Sequence, residues 1–412
     1  KIPDLERFKE ILAGSGKREV STTMVMVRLM SSLLRMPEVA KYIVPIVPDE
    51  ARTFGMDGLF KAAGIYSADG QKYRPVDADS LLPYREANDG QILQEGICEV
   101  GAMASFMAAG SAYSVHGLPM IPFYIFYSMF GFQRVGDMIW SCGDMMCKGF
   151  LLGGTAGRTT LNGEGLQHQD GHSHILASTV PSLLSYDPAF GYEVAVIVRE
   201  GMRRMYEDQE DIFYYLTLYN ENHLMPDMAE VLAATNQSQE GLVQGILQGG
   251  YCFSRTSEAP AQIHLLSSGS IMQQVMAAAS QLESMGFKVA IWSMTSFVEL
   301  QRQAMAVDRN NREAAAKDLQ VSNLQQMFAG ASGAFVAVTD YMASLALGIA
   351  AWMPESFEVL GTDGFGLSES RPALRAHFEV DSNAIVRTAL ASLHKQQLLS
   401  DKEWSKLMQN VQ

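Results

Sequence analysis

The chain has 412 residues, 48% of them hydrophobic and 18% charged, with a formal net charge of -14 at pH 7. That length exceeds what one hydrophobic core usually serves, so two domains are expected, and the acidic balance without a clustered basic surface argues against nucleic-acid binding. Four cysteines with no CxxC pair point to a reducing, cytoplasmic setting, and no uncharged apolar run of about 18 residues is present to span a membrane.

Lys1 opens a polar segment of helical pattern, and a preceding segment is expected. Strands are predicted over 42–47, 120–126, 149–153 and 211–218, with helices over 22–34, 99–112, 134–146 and 193–206 between them. The apolar run 117–132 carries Pro119 and Pro122 and reads as a buried strand. The segment 225–257, with Pro226 and the polar run Thr235-Asn236-Gln237-Ser238, is less regular and puts a boundary near residue 230. Beyond it, strands over 263–267, 288–293, 334–339 and 357–360 alternate with helices over 271–285, 341–351 and 383–394. The charged, alanine-rich stretch 309–320 reads as a solvated helix or a mobile loop. The fold class is α/β: two tandem domains, 1–229 and 230–412, with mainly parallel sheets flanked by helices.

Several groups could carry chemistry. Glu99 begins a helix that turns small and apolar, where desolvation and the helix N-terminus pull its carboxyl in opposite directions; taken alone it reads as an ordinary first-turn glutamate. The aromatic run Phe123 to Phe132 favours a core strand, yet its end falls at the carboxyl edge of a parallel sheet, where ligands bind. The stretch Gly153 to Gly165 is glycine-rich but lacks the lysine and spacing of a triphosphate loop. His168, His172 and His174 crowd a glycine-containing loop rather than a helix, which disfavours a zinc-protease site and favours proton transfer or charge stabilisation. Asp49 and Glu50 follow a strand end, a position open to either a solvated turn or a site.

Five strings are more specific together. VPDEARTFGMDGLF over 47–60, GQILQEGI over 90–97, MIPFYIFYSMFGFQR over 120–134, GRTTLNGEGLQH over 157–168 and LGTDGFG over 360–366 closely resemble the homodimeric, transketolase-like decarboxylating component of bacterial pyruvate dehydrogenase complexes. The matching part of that family is its C-terminal half: a transketolase-like pyrimidine-binding domain followed by a transketolase C-terminal domain. The resemblance implies thiamine diphosphate as cofactor, with Mg2+ and the diphosphate held by a portion not found in these 412 residues. It implies that Glu99 hydrogen-bonds the aminopyrimidine ring and favours its imino tautomer, that Phe130 stacks on the ring with Tyr127 and Asp49 nearby, and that His168 lies by the reacting centre. Glu50 and Arg134 would line the substrate space beside His168. The implied partners are an N-terminal diphosphate-binding domain or subunit, a second copy in a homodimer or heterotetramer, and a lipoyl-bearing dihydrolipoamide acyltransferase. Pyruvate is the first expected 2-oxoacid, since a methylene more or less shifts selectivity by only about 1–3 kcal/mol. Transketolase-type ketol transfer, or a fragment that binds no cofactor on its own, are the alternatives.

Overall fold

The computed structural model describes residues 1–49, 51–257, 259–354, 356–409 and 411. Contacts divide it into two units: Lys1–Ala156 with Leu176–Ser185 and Phe190–Pro226, and Gly157–Ile175 with Tyr186–Ala189 and Asp227–Gln412.

Among the described residues, the first unit contains a six-stranded sheet. Its strands are β1 (Ile43–Val47), β2 (Leu93–Gln94), β3 (Ile121–Tyr127), β4 (Phe150–Gly154), β5 (Leu183–Tyr186) and β6 (Phe213–Thr217), in the order β2-β1-β3-β4-β6-β5. The pairs β1 with β2, β1 with β3, β3 with β4 and β4 with β6 are all parallel. Parallel strands covered on both faces read as continuous apolar runs, and IPFYIFY in β3 is buried at every position but its last. Phe123, Tyr124, Ile125 and Phe126 there are essentially inaccessible, each contributing about 1.5–3 kcal/mol of burial. Helices α1 (Thr22–Leu33), α2 (Glu99–Val115), α3 (Gly131–Asp144) and α4 (Gly191–Tyr206) belong to this unit. Ser21 caps α1 by accepting from the Met24 amide at 3.2 Å, as a serine before an apolar helical run predicts.

Among the described residues, the second unit holds a five-stranded sheet of β7 (Tyr251–Arg255), β8 (Ile263–Ser267), β9 (Val289–Ser293), β10 (Ala334–Val338) and β11 (Phe357–Leu360), ordered β7-β9-β8-β10-β11. Only its edge pair, β7 with β9, is antiparallel. Helices α5 (Met272–Ser284) and α7 (Ser382–Lys395) are buried along one stripe each, and α6 (Phe297–Asn311) starts on a Ser296 cap.

Every predicted strand forms within two residues of its expected ends, because long apolar runs between breakers leave little freedom of placement. Strands β2 and β5 and helix α6 were not expected from the sequence, and three further stretches depart from the expectations. The segment 225–257 is regular: helices Met228–Thr235 and Gln239–Gln248, then β7. The helix expected over 341–351 shrinks to Ala343–Leu347 followed by a 3-10 turn at Ala350–Trp352. Within 309–320, helix persists only to Asn311, and Ala316–Asp318 is a 3-10 turn. No helix among the described residues is long and apolar enough to cross a membrane.

Candidate active site

In the first unit the parallel pairing brings the carboxyl ends of β1, β2, β3 and β4 to one sheet edge, the edge where open α/β sheets place their ligands. Asp49 lies two residues beyond β1 and accepts from Gln94, at the end of β2, at 3.0 Å. Five residues past β2, Glu99 takes the first position of α2, whose cap is Cys98: its sulfur accepts from the Gly101 amide at 3.3 Å. Glu99 is buried although charged, with its side chain 11% exposed. Behind it stands Tyr124 of β3, whose hydroxyl donates to the Glu99 carbonyl at 3.3 Å. Burial, reinforced by the Glu99 charge, pushes the Tyr124 phenol well above its ordinary range and keeps it neutral.

From the end of β3 the chain passes through a 3-10 turn, Ser128–Phe130, straight into α3. Gly131 permits that abrupt change, because a Cβ there would stand 2.3 Å from Cε2 of Phe126. Helix α3 is interrupted at Val135 (φ -130°), so its opening residues follow their own direction. Arg134, just before the break, donates to the Glu99 carboxylate at 2.6 Å and places its guanidinium 4.0 Å from the centroid of the Phe130 ring. Tyr127 lies 5.7 Å from Phe130, ring to ring, and meets Phe54 edge-on at 5.4 Å. Glu99, Arg134, Phe130 and Tyr127 therefore form one half-buried cluster. The planar Arg134 guanidinium touches both the Glu99 carboxylate and the Phe130 ring, a hydrogen-bonding group and an aromatic face of the kinds a flat nitrogen heterocycle would use.

In the second unit the glycine-rich loop is knitted to the segment after β11. Arg158 donates to the carbonyls of Thr362 and Gly364. Gln169 bridges Leu161 and Leu367, donating to both carbonyls and accepting from the Leu367 amide at 2.7 Å. Two of the strings singled out in the sequence, 157–168 and 360–366, thus hold one another. His168 is half-buried on this loop, its Nδ1 3.7 Å from the carboxylate of Glu164. His174 is buried, edge-on to Tyr341, with Nε2 3.9 Å from Asp187; desolvation pulls its pKa down. Asp170 accepts from the amides of His172 and Ser173, so the histidine-rich run is organised around a turn. Among the described residues, no group of three His, Cys, Asp or Glu side chains could hold a metal ion.

The structure gathers Glu99, Arg134, Phe130 and Tyr127, with Asp49 at the adjoining strand end; His168 stands in the second unit, and Glu50 lies outside the described residues. Tyr124 and Glu164 escaped the sequence reading. Glu164 had a local signal, a carboxylate four residues before a histidine, whereas the support of Tyr124 for Glu99 exists only through sheet and helix packing. A cavity of about 900 Å³ in the first unit, lined by Arg7, Met24, Arg28 and Arg35 among others, shares no residue with the cluster.

The profile of the pyruvate dehydrogenase E1 component middle domain matches residues 1–226, and that of the transketolase-like C-terminal domain matches 249–381. The pyruvate dehydrogenase E1 component of Pseudomonas aeruginosa is 52% identical over 395 residues, and that of Escherichia coli 47% over 397. These alignments cover 95% and 96% of this chain but only 44% and 43% of the relatives, so the chain spans less than half their length. Among solved structures, a transketolase from Campylobacter jejuni superposes with a TM-score of 0.65 at 16% identity, covering 94% of this chain and 49% of that one. A split gene transketolase, described as an inactive beta4 tetramer, superposes at 0.58 and 12% identity, covering 91% of this chain and 99% of that one. The fold is transketolase-like, and on the match over residues 1–226 the chain belongs to the pyruvate dehydrogenase E1 component middle-domain family.

Proposed function

We propose that this chain provides the pyrimidine-binding domain, 1–229, and the transketolase-like C-terminal domain, 230–412, of a thiamine-diphosphate-dependent pyruvate dehydrogenase that decarboxylates the 2-oxoacid and passes the acyl group to a lipoyl carrier. The observation that carries this reading is the buried Glu99 carboxylate at the start of α2, joined through the Arg134 guanidinium to the Phe130 face. When bound, thiamine diphosphate supplies the carbanion and electron sink that the side chains of this protein lack.

The chain's own contribution is positional and protonic. Glu99 offers a carboxyl oxygen to a ring nitrogen and favours the tautomer whose exocyclic nitrogen can take up a proton. Phe130 and Tyr127 give the ring an apolar platform, and Asp49 lines the cofactor side of the sheet edge. Arg134 lines the substrate space. His168, set against Glu164 at 3.7 Å, moves a proton near the reacting carbon.

Mg2+ and the diphosphate are assigned to a diphosphate-binding domain or subunit outside these residues. A second copy, in a homodimer or heterotetramer, and a lipoyl-bearing acyltransferase complete the machinery, in the cytoplasm. The description of the split gene transketolase chain as inactive supports an isolated chain that does not turn over.

The test joins this chain to the upstream half of the Escherichia coli relative. The hybrid is assayed for thiamine-diphosphate-dependent and Mg2+-dependent reduction of a lipoyl domain by pyruvate, with 2-oxobutyrate and sugar phosphates as competing substrates. Pyruvate-driven lipoyl reduction is expected. Ketol transfer without lipoyl reduction, or full activity of the 412-residue chain alone, overturns the proposal.

A further inference from the structure

We propose that Cys142 and Cys147 form a reversible oxidation site: a small organic disulfide converts this buried pair of thiols into an intrachain disulfide that staples the C-terminal end of α3.

All four cysteines of the chain are free thiols, and these two are 0% and 1% exposed. Their meeting follows from the way α3 ends. The Met146 amide donates to the Gly143 carbonyl at 3.2 Å and the Cys147 amide to the Cys142 carbonyl at 2.9 Å, with Met146 itself in the left-handed region at φ 53°. A helix stop with these two bonds lays the side chain that follows the left-handed residue against the one five positions earlier, a contact ordinarily made by two apolar groups. Here both are cysteine, and the two thiols are hydrogen-bonded to each other. The turn is anchored to α2, since the Cys147 thiol donates to the Met107 carbonyl at 3.8 Å and the Lys148 amide to the Gly110 carbonyl at 3.0 Å. A Cβ added at Gly110 would stand 3.2 Å from that of Cys147, so α2 packs directly on the pair.

The two sulfurs are not equivalent. The bond from the Cys142 thiol pulls the Cys147 thiol below its ordinary pKa, against burial and the Asp211 charge, whereas the same bond and burial push Cys142 up. Cys147 is therefore the attacking sulfur and Cys142 the resolving one. The Cys147 thiolate attacks one sulfur of the small disulfide, forms a mixed disulfide and releases one thiolate; the Cys142 sulfur then attacks Cys147 and expels the second. The two protein thiols lose two electrons and two protons, and the small disulfide becomes two thiols. Met145 and Met146, beside the pair in sequence, are 42% and 53% exposed, so opening of this one turn brings Cys147 to solvent. In a reducing setting the thiols persist, and excess small thiol reverses the bond.

The test treats the 412-residue chain with 2-hydroxyethyl disulfide at neutral pH, alkylates the remaining thiols in denaturant and maps tryptic peptides by mass. Residues 135–148 form one peptide holding both cysteines, and the exposed Cys98 reports that the oxidant is active. That peptide is expected to lose two hydrogens, to resist alkylation and to regain both thiols with dithiothreitol. Cys142→Ser should retain the mercaptoethanol adduct on Cys147, while Cys147→Ser should leave Cys142 reduced. Cys142 and Cys147 still open to alkylation in the parent when Cys98 is fully converted, or a lasting mixed disulfide on Cys147 of the parent, overturns the proposal. An adduct on Cys142 of Cys147→Ser as abundant as that on Cys147 of Cys142→Ser overturns the assignment of attacking and resolving sulfurs. The parent chain alone decides whether the disulfide forms, whatever the folding of the variants.

Discussion

The hydroxyl of Thr159 lies 2.6 Å from the carboxylate of Asp340, 181 residues further along the chain, and the Thr159 amide donates to the same oxygen at 2.9 Å. Thr160 repeats the arrangement on the other carboxylate oxygen, with its amide at 3.1 Å and its hydroxyl at 2.6 Å. Thr160 Oγ1 also accepts from Ser270, and Arg371 donates to the Thr160 carbonyl at 2.7 Å. Asp340 is fully buried; desolvation pushes its pKa up, while the Arg375 charge and these donors oppose the shift. Asp340→Ala strands four donors at once and is expected to cost about 3 kcal/mol, read from the denaturation midpoint. Amide exchange should rise selectively over 158–163. Unchanged protection of the Thr159 and Thr160 amides shows that something else holds the loop.

Glu99→Gln keeps the volume and the hydrogen bond to Arg134 but removes the ionisable carboxyl. In the enzyme completed with an upstream half, turnover should fall by about 10²–10⁴-fold with the melting temperature nearly unchanged. Activity within twofold of the parent, on a fully loaded enzyme, strips Glu99 of its assigned role.

His168→Ala, in the same completed enzyme, is expected to slow single-turnover decarboxylation or acyl transfer while cofactor affinity changes little. Glu164→Gln should produce a weaker version of the same defect, because the Glu164 carboxylate lies 3.7 Å from the His168 ring and helps to orient it. Equal rates for both variants and the parent return the pair to a purely local contact of the loop.

A pH effect on stability is expected at His264. Its Nδ1 accepts from the Trp292 indole at 3.3 Å and its ring stacks on Phe335 at 4.4 Å. Burial lowers its pKa from 6.5 to about 4, the Arg255 charge works in the same sense, and backbone acceptors at Ser332 and Ala261 oppose it. The unfolded chain therefore takes up a proton before the folded one does. The stabilisation is complete above about pH 6.5 and is lost as pH falls toward 4, an effect on the order of 3 kcal/mol. His264→Gln should flatten that slope in urea melts taken across the interval. A slope identical to the parent's assigns the acid sensitivity to other groups.

Much of the sheet architecture was legible in the order of residues. Runs such as IPFYIFY are too apolar for a surface and too short for a helix of that burial, so β3 had little choice. Strands β2, β5 and β7 were missed for the opposite reason. Leu93–Gln94 is only two residues long, and Tyr251–Arg255 pairs antiparallel at an edge with a register shift between Cys252 and Ser254. Their pairing is decided by neighbouring strands, which local pattern does not encode.

The sequence by itself determined the α/β class, the alternation of strands and helices, and the positions of Glu99 and Phe130 at element ends, because burial and capping are local demands that residue type satisfies. Only the tertiary structure decided which of these groups meet. Glu99, Phe130 and Arg134 converge because parallel pairing brings several strand ends to one edge, and because the close approach of Gly131 to Phe126 turns the chain back toward α2. Thr159 finds Asp340 across 181 residues. Contacts between residues that are remote along the chain depend on the geometry of everything packed between them, and no spacing rule in the sequence carries that.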